Sequence, residues 1–208
     1  MYGVLNGCRI EQLCYYKIKR DKMKIIIACM LFQFTFFNAQ AQQKLFTKNG
    51  VVVFFSKASI ENIGAKNNKL LSVWDVATGQ IEFSVLMKGF QFEKALMQEH
   101  FNENYVESDE YPKATFKGVI QSPKNISLDA DENYAVNVNG LLTLHGITKQ
   151  IDISAAIVVK NKAVSATASF TIELADYKIK IPAIVANNIS KYILINVTIP
   201  SYQPMAGH

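Results

Sequence analysis

Apolar residues recur at every second position along most of this chain, and that spacing constrains its fold more than any other feature. In a strand, successive side chains point to opposite faces, so alternation marks a sheet with one dry face and one wet face. Ile81, Phe83, Val85 and Met87 alternate with Glu82, Ser84 and Lys88. Tyr134, Val136, Val138, Gly140, Leu142 and Leu144 form a second set, and Ile151, Ile153, Ala155, Ile157 and Val159 a third. Val164, Ala166, Ala168, Phe170, Ile172 and Leu174 make a fourth, and Ile193, Ile195, Val197 and Ile199 a fifth. Val51–Ser56, Leu70–Val76 and Ala114–Gln121 read as further strands, with a shorter one around Ser59–Gly64. Turn residues separate them at Lys48-Asn49-Gly50, Thr78-Gly79, Ser122-Pro123, Asp129–Asn133, Gly146 and Lys160–Lys162.

One segment keeps a different period. Met97, Phe101 and Tyr105 recur at helical spacing among charged residues, which predicts one amphipathic helix within Glu93–Val106. A second, short helix is expected near Ala186–Ser190. About eight antiparallel strands with one helix predict an all-β domain, either a closed barrel or a sandwich. Closing the sheet gives each strand its dry face without leaving open edges. Gly118, Gly140, Ala155, Ala166 and Ala168 fall on the inward face and leave gaps there. Alternation alone leaves a hollow barrel and a tapering, filled one equally open.

The chain divides unevenly in charge. Residues 1–41 hold six basic residues (Arg9, Lys17, Lys19, Arg20, Lys22, Lys24) against Glu11 and Asp21. The other 167 residues carry 16 Lys against 15 acids and no Arg. Without that planar fork for phosphates and base edges, the domain is not expected to bind nucleic acid. From Met23 the order is a positive start, an apolar run from Ile25 to Phe37, and the small-x-small triplet Ala39-Gln40-Ala41. That predicts a secretory signal peptide over 23–41, cut after Ala41, with the product periplasmic or secreted. The run is too short for a membrane span, so no stable span is expected after cleavage. Ile26-Ile27-Ala28-Cys29 has the residue types of a lipidation box, but the apolar run continues past the Cys instead of closing there. Residues 1–22 add nothing such a signal needs and read as an over-long start or an extended basic region. Cys8, Cys14 and Cys29 all precede the cut, so the domain at 42–208 is expected to contain no thiol, disulfide or Cys-based metal site. No linker or repeat divides it.

Candidate chemistry is sparse. His100, His145 and His208 are the only histidines, and no metalloprotease, nucleophile-elbow, dinucleotide or P-loop motif occurs. Glu99, His100 and Glu103 lie within one helical turn but lack a further ligand, so a solvated helix face is the simpler reading. His145 precedes Gly146 at a strand end, where a His caps a turn by hydrogen bonds. Glu107-Ser108-Asp109-Glu110 reads as an exposed loop without calcium-ligand spacing. No metal and no cofactor is expected.

Two stretches carry a family resemblance. Residues 99–118, EHFNENYVESDEYPKATFKG, end in a Ser-Asp-x-Tyr-Pro-x-Ala-x-Phe pattern, and residues 138–149 read VNGLLTLHGITK. In order and separation both resemble the YceI-like family, over nearly all of residues 45–200. The resemblance implies a lipocalin-like antiparallel β-barrel whose apolar tunnel takes polyisoprenoid chains such as quinone tails or prenyl lipids. The family's Asp-x-x-His-Ser element has no counterpart in Lys44–Ser56, and its Arg-Asp pair is replaced by Leu96-Met97-Gln98-Glu99, so head-group contacts are expected to differ. Each buried CH₂ of a ligand contributes about 0.8 kcal/mol, so a long tail needs only a dry wall. Phe83, Val85, Phe116, Val138, Leu142, Ile153, Phe170 and Ile195 are expected to line it, with Tyr111, Tyr134 and Tyr177 at the mouth and His145-Gly146 as a structural motif. The expected function is a non-catalytic carrier or sequestering protein for an isoprenoid or other amphiphilic lipid. A ligand-free envelope module and a lipid-modifying enzyme in the same cavity are the alternatives. The oligomeric state stays open, a dimer included.

Overall fold

The computed structural model describes residues 43–58 and 62–205, so the expected signal peptide, the lipidation-type box and all three cysteines lie outside the described residues. Gln42–His208 forms a compact unit of its own. Its strands are β1 (Lys44–Lys57), β2 (Asn62–Asp75), β3 (Gln80–Leu86) and β4 (Gln91–Phe92). They continue with β5 (Lys113–Ile120), β6 (Glu132–Leu144), β7 (Ile147–Lys160), β8 (Ala163–Glu173) and β9 (Tyr192–Pro204). The sheet runs β1-β9-β8-β7-β6-β5-β3-β2, and antiparallel pairing of β1 with β2 closes the ring. The two-residue β4 pairs with β2 at Ala65 and Lys66, beyond the stretch of β2 that β3 covers. Among the described residues this is a closed, eight-stranded antiparallel barrel.

Strand direction sorts the connections onto two ends. The lower end carries the 76–79 turn, the 121–131 loop and the Asn161-Lys162 hairpin. The upper end carries the close of β1 and the start of β2, the insertion between β3 and β5, the His145-Gly146 hairpin and the 174–191 segment. Both hairpins have two-residue loops with positive φ at both positions, the type I′ geometry that matches strand twist.

Local differences from the sequence reading have physical causes. Lys48-Asn49-Gly50 is no turn; register shifts mark a bulge there inside a continuous β1. A bulge bends a long strand as closure requires, and a Cβ at Gly50 would stand 2.8 Å from Ile199 Cδ1. The short strand expected at Ser59–Gly64 falls partly outside the described residues; from Asn62 on it is the start of β2, which runs unbroken to Asp75. The helix α1 covers Ala95–His100 and continues as a π-helical turn over Phe101–Tyr105, where the Val106 N–H donates to the Phe101 carbonyl. Ala186–Ser190 is not helical: one 3₁₀ turn at Ala183–Val185 is followed by tight turns.

The β7–β8 ladder stops at Ala155 opposite Ala168. Above it, β8 pairs only with β9 and β7 only with β6. A 3₁₀ turn, Leu174–Tyr177, crosses this fork and is tied to the β7 side by Lys149 Nζ to Asp176 Oδ1 at 3.3 Å and by His145.

Candidate functional site

The inward face of the ring encloses a cavity of about 340 Å³, within the range of small-ligand sites. Its wall is almost wholly aliphatic and aromatic. Phe83, Val85, Phe116, Val138, Leu142, Ile153, Phe170 and Ile195 all lie on it. Phe83, Val136, Phe170, Ile195 and Val197 point inward yet are only partly buried, because they face hollow space instead of neighbours.

The small inward residues split into two groups. Ala155, Ala166 and Ala168 line the cavity. Gly118 and Gly140, paired across β5 and β6, do not: a Cβ on either would meet the Phe116 ring, at 2.7 and 2.5 Å. The ring lies over the glycine pair, so the gap expected there is filled. Phe116 also faces Phe83 across β3 and β5, with ring centroids 6.1 Å apart.

The lower end is shut. Trp74 is wholly buried and packs edge-on to Tyr202 at 5.9 Å, and Ile120 and Ile199, also buried, line the same cavity. The Tyr202 hydroxyl shares a 2.8 Å hydrogen bond with Ser72 Oγ. Burial pushes the Tyr202 phenol up to about 12, against the smaller opposing pull of that bond. At the upper end, Met97, His100, Phe101 and Tyr105 face the cavity from the helical segment, and Val185, Asn188 and Ile189 from the segment before β9. Phe54, Phe90, Phe92 and Phe101 cluster there with centroids 5.0–5.8 Å apart. Burial raises the Tyr105 phenol. Ser190 N–H donates to Ser56 Oγ at 2.8 Å, which ties the 183–190 segment to the end of β1.

None of Tyr111, Tyr134 and Tyr177, the expected mouth, reaches the cavity wall among the described residues. Tyr134 is at the lower end, its hydroxyl donating to the Ser127 carbonyl and accepting from the Ser127 N–H, both at 3.1 Å. Tyr111 packs edge-on to His145 at 4.6 Å and occupies the space a Cβ at Gly146 would need, 2.6 Å from its Cε1. Tyr177 is buried outside the cavity, where burial and the neighbouring Asp176 raise its phenol. Tyr111 thus joins two distant segments, and Tyr134 braces the loop that precedes its own strand. The central joint is His145: Nδ1 faces the Tyr177 carbonyl at 2.9 Å and Nε2 faces Glu107 Oε2 at 2.6 Å. The 107–110 stretch is exposed at Glu107, Asp109 and Glu110, as expected, but it is tied down. Ser108 is 1% exposed, Glu107 holds His145, and Asp109 pairs with Lys88.

Among the described residues no group of three metal-ligating side chains comes together, and no helix is long and apolar enough to cross a membrane.

A closed eight-stranded antiparallel ring around an apolar hollow, shut below and roofed by a short helix above, defines a lipocalin-like barrel. The chain belongs to the YceI-like domain family, whose model matches residues 35–200. Among solved structures, a polyisoprenoid binding domain from Saccharophagus degradans implicated in plant cell wall breakdown is 16% identical with a TM-score of 0.67, covering 79% of this chain and 99% of its own. Burkholderia cenocepacia BcnA is 14% identical at TM-score 0.60, covering 74% and 96%. The Campylobacter jejuni YceI protein is 16% identical at TM-score 0.55, covering 73% and 90%. At these identities the likeness establishes the fold. No curated protein matches the chain.

Proposed function

We propose that this protein is an exported, non-catalytic carrier or sequestering protein that holds an isoprenoid or similarly long, amphiphilic lipid in its barrel. The observation that carries the reading is the hollow of about 340 Å³ walled by aliphatic and aromatic side chains. Burying apolar ligand surface against such a wall contributes roughly 25 cal/mol per Å² and requires no reacting group. Two of the wall's hydroxyls are already engaged: Ser56 Oγ accepts from Ser190 N–H, and the Tyr202 hydroxyl is bonded to Ser72. A structural relative described as a polyisoprenoid binding domain points to the same ligand class. The basic start, apolar run and Ala-Gln-Ala triplet of residues 23–41 support export, with 42–208 as the working form.

The test is native mass spectrometry of Gln42–His208, exported from a bacterial host. One bound mass of prenyl type, released on denaturation, is the expected result. A bare mass that gains nothing from added geranylgeraniol or a prenyl quinone would refute the carrier reading.

A further inference from the structure

The segment between β8 and β9 has a second face that the cavity does not use. Val185 and Ile189 point to the hollow, whereas Ile184, just before Val185, is 92% exposed, the most exposed large hydrophobic among the described residues. It sits in the apolar run Ile181-Pro182-Ala183-Ile184-Val185-Ala186, and Tyr192 just beyond is 58% exposed. A tip of this kind cannot improve folding by standing in water.

The surrounding charge is one-sided. Lys178, Lys180 and Lys191 flank the run, and Lys57 ends β1 beside Ser56, to which Ser190 is bonded. All four are exposed, and none pairs with an acid among the described residues. The nearby acid Asp176 is engaged by Lys149, and Glu173 is half-buried. On the opposite side of the mouth, the exposed acids Glu93, Glu99, Glu103 and Glu110 outnumber the exposed Lys94 and Lys113, while Glu107 and Asp109 are engaged by His145 and Lys88. An apolar tip ringed by lysines complements a bilayer that exposes anionic phosphates over acyl chains.

We propose that Lys178–Tyr192 docks the mouth of the barrel on an anionic phospholipid bilayer, with Ile184 entering the interface and the lysines facing phosphates. This rests on the carrier reading only for its purpose, which would be to let a lipid pass between membrane and cavity without crossing water. The acidic helical side tilts away, so contact is confined to the flap.

The test is flotation of Gln42–His208 with vesicles of phosphatidylcholine alone or mixed with phosphatidylglycerol, beside uptake of geranylgeraniol delivered from ethanol without vesicles. The mixed vesicles should carry the protein, the neutral ones should not, and salt should weaken the binding. Ile184→Glu, and Lys178→Gln with Lys180→Gln and Lys191→Gln, should each cut the bound fraction roughly tenfold. Val119→Glu, an exposed wall position at the lower end, should change nothing. Uptake from ethanol should be unaltered in all of them. Wild-type protein that ignores anionic vesicles, or Ile184→Glu that floats as wild type does, overturns the docking. So does loss of both flotation and ethanol uptake in Ile184→Glu, which would make the flap cavity wall and not a docking tip. Failed flotation with intact uptake removes the docking and leaves the carrier; flotation without uptake supports the docking and removes the carrier.

Discussion

Gly118 and Gly140 face each other on β5 and β6, Ala155 and Ala168 face each other on β7 and β8, and the two pairs treat the barrel interior in opposite ways. Over the glycines the Phe116 ring folds down until no methyl group fits beneath it. The alanines, by contrast, line the cavity itself. Residue size therefore does not by itself determine where a barrel is hollow. What matters is whether a neighbour two positions along the same face is long enough, and free enough, to occupy the gap.

Phe116→Ala breaks the filled side outright. Removing a buried ring costs about 3–5 kcal/mol, so thermal unfolding followed by circular dichroism should show a Tm lower by roughly 10 °C. An unchanged Tm would mean that the ring is not what packs that side. Gly140→Ala probes the same place from the other partner. Its Cβ would lie 2.5 Å from Phe116 Cζ and 2.6 Å from the Lys117 carbonyl oxygen. Overpacking of this kind should cost about 1–3 kcal/mol in urea unfolding. Ala155→Val is the matching change on the hollow side. It adds two methyl groups facing space, so the unfolding free energy in urea should change by no more than about 0.5 kcal/mol. A cost equal to that of Gly140→Ala would erase the distinction between the two sides.

The same contrast explains what could be read from the sequence. Alternation identifies inward positions directly, because a closed barrel turns every second side chain to one centre; Phe83, Leu142 and Ile195 needed nothing more. It cannot say whether Phe116 lies flat over its glycines or stands away from them, since that is settled by packing between strands. The upper end was harder still. Tyr111, Tyr134 and Tyr177 have the amphipathic character expected at a mouth, but Tyr111 packs on the distant His145 hairpin, Tyr134 bonds the Ser127 backbone just before its own strand, and Tyr177 is buried outside the cavity with its carbonyl facing His145. The residues that do face the cavity there, Val185 and Ile189, lie in irregular backbone with no period to reveal them. Met97, Phe101 and Tyr105 left a signal, their helical spacing, which predicts a buried stripe without saying what it covers. His145-Gly146 was legible as a turn, and its clasp on Glu107 and Tyr177 emerges only once three loops meet.

The central claim is that the hollow beside the alanine pair is where a lipid chain lies. Its most direct test is titration of Gln42–His208 with geranylgeraniol, wild type against Ala168→Phe, with Tm measured on both. The wild type should take up one molecule, and the variant should keep its fold and bind at least about tenfold more weakly, because a ring now fills the hollow side as Phe116 fills the other. Equal affinity in a folded Ala168→Phe, or no binding by the wild type, would contradict it.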